Sequence, residues 1–339
     1  MQSRTVHPGP SLVVWLALAL PLVGAAQKYT VTDLGTLGGS GSGAQAINVS
    51  GEIAGYASVA GNGSTDAFLY AAGKMTDLGT LGGTVGVGNA INSSGQVAGY
   101  ATDKTTYRAF LDANGTMKNI GDLGGGSAVA YGINNAGQVV GAAYLPDGEV
   151  HPFLYANGQM TDLGTLGSTT PGWWNTALGI NNLGQVAGYS YDSQGNFFAY
   201  LWSNGVMKNL GTLGGLWSQA YAVNDNGQVT GIGYTKNGEA HAFLNTAGTM
   251  KDLGTLQGTP TSWGLALNNA GVVVGQSNIK SNVTYHAFIW NGKIQDLNSL
   301  IPPRSGWVLV SANGINDAGQ IVGMGTHNGQ QHAYLLTPQ

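Results

Sequence analysis

The sequence predicts an all-β fold, a closed ring of seven four-stranded antiparallel units, and three observations carry that expectation. Four independent markers each occur seven times along the chain. Turn-forming dipeptides divide every repeat into short extended segments. The two ends of the repeat region hold complementary fragments of one unit.

The markers come first, because internal repeats decide an architecture before any local signal does. The string Thr-Asp-Leu-Gly and its variants place an acid or amide at Asp33, Asp77, Asn119, Asp162, Asn209, Asp252 and Asp296, at successive spacings of 44, 42, 43, 47, 43 and 44 residues. An aliphatic residue followed by asparagine ends at Asn48, Asn92, Asn134, Asn181, Asn224, Asn268 and Asn316. Three residues further stand Gly51, Gly95, Gly137, Gly184, Gly227, Gly271 and Gly319, usually as Gly-Gln-Val. An Ala-Phe-Leu-like run is centred on Phe68, Phe110, Phe153, Tyr200, Phe243, Phe288 and Tyr334.

Turn chemistry then sets the strands. Asn92-Ser-Ser-Gly95 has Asn first and Gly fourth, the preference of a type I turn, so its flanks pair as a hairpin. Asn114-Gly115, Asn157-Gly158, Asn204-Gly205 and Asn291-Gly292 are strong hairpin signals between the Ala-Phe-Leu strand and the Asp-Leu-Gly strand. Each unit is therefore a four-stranded meander, and helical periodicity is absent after residue 27. Four strands in about 40–45 residues, repeated seven times, is the arithmetic of a seven-bladed β-propeller. The repeat region opens at Tyr29–Asp33 as a lone outer strand and closes at His332–Leu336 as a third strand without its fourth. The N- and C-terminal strands are thus expected to share one blade, in a single domain over 27–339.

The innermost strand carries a packing pattern. Four residues before the marker asparagine stand Ala44, Gly88, Ala130, Ala177, Ala220, Gly264 and Ala312, and two before it Ala46, Ala90, Gly132, Gly179, Ala222, Ala266 and Gly314. Strict alternation places both sets on one face, where small residues let blades approach near the axis. Ile47 and its six aliphatic equivalents then occupy the other side.

Composition bounds the chemistry. Of 339 residues 42% are hydrophobic, 8% are charged and 57 are glycine, so the chain is rich in core and turns and poor in acid–base groups. The net charge of −4 leaves no basic footprint for nucleic acid, and the lack of cysteine excludes disulfides and thiolate metal sites. Residues 1–26 have the form of a signal peptide: Arg4, an apolar run from Leu12 to Val23, then Gly24, Ala25 and Ala26 before Gln27. No later stretch has spanning length, so a secreted, monomeric protein without a membrane span in its mature chain is expected.

With these motifs on the page, the chain resembles the extracellular HAF-repeat proteins of bacteria. The namesake run stands as His241-Ala242-Phe243 and His286-Ala287-Phe288, with looser copies at His151-Pro152-Phe153 and His332-Ala333-Tyr334. The resemblance covers residues 29–337 and implies a secreted or surface repeat protein, without an activity or site residues to carry over.

Catalytic and metal-ligating patterns are weak. His151, His241, His286 and His332 share one repeat position, and blades diverge too far there for these histidines to share an ion at bond lengths of about 2 Å. The Asp-Leu-Gly position tolerates Asn119 and Asn209, so it asks for an acceptor that bonds a nearby turn rather than for a charge. No nucleophile elbow, zinc motif or phosphate loop is present, and no cofactor or metal is expected. The blade-to-blade connections differ from one another, and variable loops are where binding groups sit. They carry Trp173, Trp174, Trp217, Trp263 and Trp307, which enter the fourth to seventh blades and form the candidate ligand-binding set. The expected function is a binding or scaffold module for a glycan or cell-envelope polymer. The alternative is an extracytoplasmic hydrolase or lyase with its site at the channel mouth, marked by acids, His or Arg that break the repeat; Asp122 and Arg304 are scattered departures of that kind.

Overall fold

The computed structural model describes Met1 and residues 28–104, 106–279 and 284–339; the expected signal peptide lies outside them. Seven four-stranded antiparallel sheets follow one another around a central channel. Blades one to six occupy 38–79, 86–119, 128–162, 176–209, 214–252 and 262–296. The seventh combines Trp307–Ile315, Ile321–His327 and Gln330–Pro338 with the N-terminal strand Tyr29–Asp33. Tyr29 pairs with Pro338 and Asp33 with Tyr334, so the ring closes by the strand exchange that the two ends predict. Among the described residues helix is confined to three one-turn 3₁₀ segments.

Each marker has a physical reason. Phe68, Phe110, Phe153, Tyr200, Phe243, Phe288 and Tyr334 are fully buried, and each lies directly across from a glycine of the second strand. A Cβ on Gly141 would overlap the Val129 carbonyl and press on the Phe153 ring, so the large ring and the absent side chain are one packing unit. Asn114, Asn157 and Asn204 adopt φ of 56°, 53° and 51° ahead of left-handed glycines, the two-residue hairpin turn that was expected. Asn291-Gly292 departs from it. There Trp290 pairs with Ile294, and Lys293 extends the loop to three residues, with the left-handed conformation on Gly292.

The marker asparagines do more than make turns. Asn181 Oδ1 accepts from the backbone N–H of Leu183 and Gln185 at 3.1 and 2.8 Å. Its Nδ2 donates to Gln185 Oε1 and to the carbonyl of Asn224, the marker of the next blade. All seven asparagines donate in this way to the following blade, at 2.9–3.3 Å, and Asn316 donates to Asn48. A closed belt of buried side-chain bonds therefore ties the blades together at one mouth of the channel.

Alternation on the innermost strand fails at one point in every blade. Ala44 pairs with Gly55 and Ala46 with Ala54, so the residue between them has no partner, and the other six blades repeat this bulge. The two small positions consequently face opposite neighbours instead of sharing one face. A Cβ on Gly88 would sit 3.4 Å from Ala54 of the preceding blade, whereas one on Gly179 would sit 3.0 Å from Ala222 of the following blade. The requirement for small residues holds; its geometry is one contact on each side of the blade.

Candidate functional site

The bulge decides what lines the channel. It turns Gln45, Asn89, Tyr131, Leu178, Tyr221, Leu265 and Asn313 inward, and all seven line a central space of about 350 Å³. Ile47, Ile133, Ile180, Val223 and Ile315 line both this space and the smaller one at the asparagine mouth, forming an aliphatic waist. Asn89 and Asn313 are held by bonds from Nδ2 to the carbonyls of Ala130 and Ala44 on the next blades, at 2.8 and 2.9 Å.

At the opposite mouth the channel opens into a recess of about 610 Å³ over the first three blades. Gln45, Asn89 and Tyr131 rise into it from the bulges, Tyr56 and Tyr100 from second strands, Tyr107 from a third strand and Trp174 from the connection into the fourth blade. Tyr100 and Tyr107 meet edge to face at 5.5 Å, which fixes two of the rings. Gln331 donates to the Tyr56 hydroxyl at 3.4 Å. Burial raises the phenols of Tyr56 and Tyr100, and pushes Tyr131 and Tyr221 up to about 12, so they stay protonated donors at neutral pH. The recess offers ring faces, hydroxyls and side-chain amides.

The five tryptophans divide among different surroundings. Trp174 alone lines the recess, edge to face with Tyr144 at 5.7 Å. Trp173 packs on Tyr191, and Trp217 lies between Phe197 and Tyr234 at 4.8 and 4.0 Å. With the Tyr191–Phe197 contact these rings form one run across blades four and five. Trp263 leans on Tyr285 at 6.1 Å, and its buried Nε1 has no partner among the described residues. Trp307 is a core residue, 9% exposed, stacked flat on His327 at 4.6 Å. None of the five is an open ring standing on the surface; four are half-buried and one is buried. The recess centres on blades one to three, where the connections lack tryptophan, because all its rings but Trp174 come from strands and bulges. The residue between two always-small positions, glutamine, asparagine, tyrosine or leucine among the seven repeats, is the sequence signal that marks the inward ring.

The repeated histidines bond within their own blades. His151, His241, His286 and His332 each direct Nδ1 at the Asp-Leu-Gly carboxylate of the same sheet, at 2.8, 2.9, 2.7 and 2.8 Å. That acid or amide also accepts a backbone N–H two residues on, in all seven repeats, which is the turn bond inferred for it. The hydrogen bond to Asp162 raises the His151 pKa against the effect of burial. Burial alone would raise Asp162, but bonds from His151 and Gly164 outweigh it and hold the carboxyl below its ordinary value. Asp122 pairs with Arg108 at 3.6 Å and accepts from Gly124 and Gly126, so it shapes a loop; Arg304 occupies an exposed left-handed position with φ 63°.

No family model and no curated protein matches the chain. The seven four-stranded sheets define the class, a seven-bladed β-propeller, and solved structures match the chain as folds. A puromycin-hydrolysing peptidase from Mycobacterium tuberculosis is similar at TM-score 0.52 and 10% identity, over 86% of this chain and 50% of that one. TolB from Acinetobacter baumannii is similar at TM-score 0.49 and 12% identity, over 85% of this chain and 63% of its own. The SapL1 lectin, solved with alpha methyl fucoside, is similar at TM-score 0.43 and 16% identity, over 80% of this chain and 99% of its own. The chain spans about half the length of the peptidase. Likeness at these identities concerns the fold alone.

Proposed function

We propose that the protein is an extracytoplasmic binding module that holds a hydroxyl-rich polymer, a glycan or another cell-envelope polymer, in the tyrosine-lined recess. One observation carries this reading: Tyr100, Tyr107, Tyr131 and Trp174 meet the amides of Gln45 and Asn89 in a single opening of about 610 Å³. A sugar ring presents an apolar CH face and a hydroxyl edge. Aromatic faces bury the first, while phenols and amides bond the second. The volume lies within the usual range of ligand sites, about 300–1,000 Å³. Export is supported by the leader-like residues 1–26, and kinship with HAF-repeat proteins by the four histidine-led runs.

A glycan array probed with the purified protein, followed by calorimetry on the strongest ligand, tests the reading. Tyr131→Ala removes a ring at the centre of the recess and is expected to weaken binding about 30-fold, the equivalent of about 2 kcal/mol at an aromatic hot spot. Trp307→Ala removes a core ring and is expected to lower stability while leaving the affinity of the folded fraction close to that of the parent. Silence of the array towards every polymer, or full affinity in Tyr131→Ala, overturns the proposal.

A further inference from the structure

We propose that the closing blade carries a site for one divalent transition-metal ion, zinc foremost, held by Asp33, His327 and His332. Four of the five histidines among residues 28–339 follow the repeat, one per blade, each with Nδ1 on the repeat carboxylate of its own sheet, and His151 and His241 also reach Glu149 and Glu239 through Nε2. His327 does not follow the repeat. It ends the second strand of the closing blade, where the other blades carry Val59, Asp103, Leu145, Asp192, Thr235 and Ile279. Its Nδ1 lies 2.9 Å from Asp33 Oδ2, and the Nδ1 of His332 lies 2.8 Å from the same oxygen. The three ligand atoms are within 4.8 Å of one another.

Strand register makes this convergence a property of the fold. His332 pairs with Gly325, and His327 stands two residues beyond that glycine, so both imidazoles project from one face of the hairpin. Asp33 pairs with Tyr334, two residues beyond His332, and so joins that face from the N-terminal strand. Zinc takes imidazole nitrogen and carboxylate oxygen at about 2.0–2.2 Å, which sets neighbouring ligands of a tetrahedral site about 3.3 Å apart. Opening the present bonds by about half an ångström reaches that spacing. Two imidazoles and one carboxylate are a donor set that suits zinc, with water in the fourth position. The three side chains are 17–29% exposed, so an ion can enter and a water can follow it.

The surroundings already hold the ligands in place. Trp307 lies parallel to the His327 ring at 3°, and the Asn328 amide stands 3.3 Å from Nε2 of the same imidazole. With its amide turned over, Asn328 accepts from Nε2–H and leaves Nδ1 as the donor to the metal. Asp33 Oδ1 accepts the N–H of Gly35 at 2.8 Å, which orients the carboxylate. A bound ion joins the N-terminal strand to the C-terminal hairpin, and so clamps the ring at its only seam made from both chain ends.

Metal-stripped protein titrated with zinc chloride in a calorimeter tests the site. One ion per chain is expected, with a rise in melting temperature at saturation. His327→Asn is expected to weaken zinc binding about 100-fold or more, since even outer-shell changes cost 10–100-fold, while His241→Asn leaves it unchanged. Cobalt(II) gives a readout that needs no variant: strong visible bands of a four-coordinate ion support the site. Absence of saturable zinc binding, undiminished binding in His327→Asn, or the pale spectrum of six-coordinate cobalt overturns it and leaves a purely hydrogen-bonded triad.

Discussion

The two mouths of the channel are built by the same strand, three residues apart, under opposite rules. At one mouth every blade carries asparagine, and each side chain donates to the next blade. At the other, the seven bulge residues are glutamine, asparagine, tyrosine or leucine, in no repeating order. The difference teaches how to separate stability from recognition in a repeat protein. A group bonded from blade to blade is the same in all seven because the ring is only as complete as its least complete joint. A group aimed into an open recess is free to differ, and the differences make the recess specific.

The comparison breaks most readily at the asparagine mouth. Asn181→Ala removes the acceptor of the Leu183 and Gln185 N–H groups and the donor to the Asn224 carbonyl, which keeps only its bond from the Gly227 N–H. A loss of about 3 kcal/mol is expected, from several buried groups at about 1–3 kcal/mol each. Urea unfolding that matches the parent would show the belt to be ornamental. Ala222→Leu tests the layer between the mouths, where Gly179 approaches the Ala222 backbone. Overpacking there should cost about 1–3 kcal/mol, read from the same unfolding curves, and no cost would mean that the blade contact lies elsewhere.

Contacts kept by some blades only should be worth an intermediate amount. His151 is raised by its bond to Asp162, so its contribution is complete below its ordinary value of 6.5 and is lost as pH rises through the folded value. Asp162 is lowered, so its contribution is complete above 3.8 and is lost as pH falls through the folded value. Parent and His151→Gln should therefore differ most near pH 5, by about 0.2–1 kcal/mol because the pair is partly exposed. They should converge as pH rises through the raised folded value of His151; a gap that stays constant from acid to alkaline pH contradicts the pairing. The smallest effect belongs to the variable ring. Leu265→Asn copies what Asn89 and Asn313 do in other blades and should change stability by about 0.5 kcal/mol or less, measured by thermal melting.

Much of this was legible in the residues themselves. Repeat markers, turn dipeptides and matched termini foretold seven blades and their closure, because those features obey local rules that act identically in each copy. The bulge was not legible, since it follows from pairing between strands and turns two small residues to opposite sides where alternation puts them together. That one displacement also makes bulge and strand residues the main lining of the recess, with Trp174 as its one tryptophan. Their position in variable connections spoke of location but not of burial, and Trp307 is taken up by His327 while Trp217 is taken up by Phe197 and Tyr234. His327 looked unremarkable in sequence, because its partner Asp33 lies at the far end of the chain.

Pairing of Tyr29 with Pro338 has a consequence in time. Among the described residues the outer strand of the closing blade is the first strand to be synthesised, yet its hydrogen-bonding partner is the last. Six blades can assemble from neighbours in sequence, whereas the seventh requires closing a loop of almost the entire chain, and contacts so distant are slow to form. Until then the nascent protein keeps an unpaired edge at each end, the kind of surface on which strands of other molecules add. Ring closure is therefore the step of folding expected to be slowest.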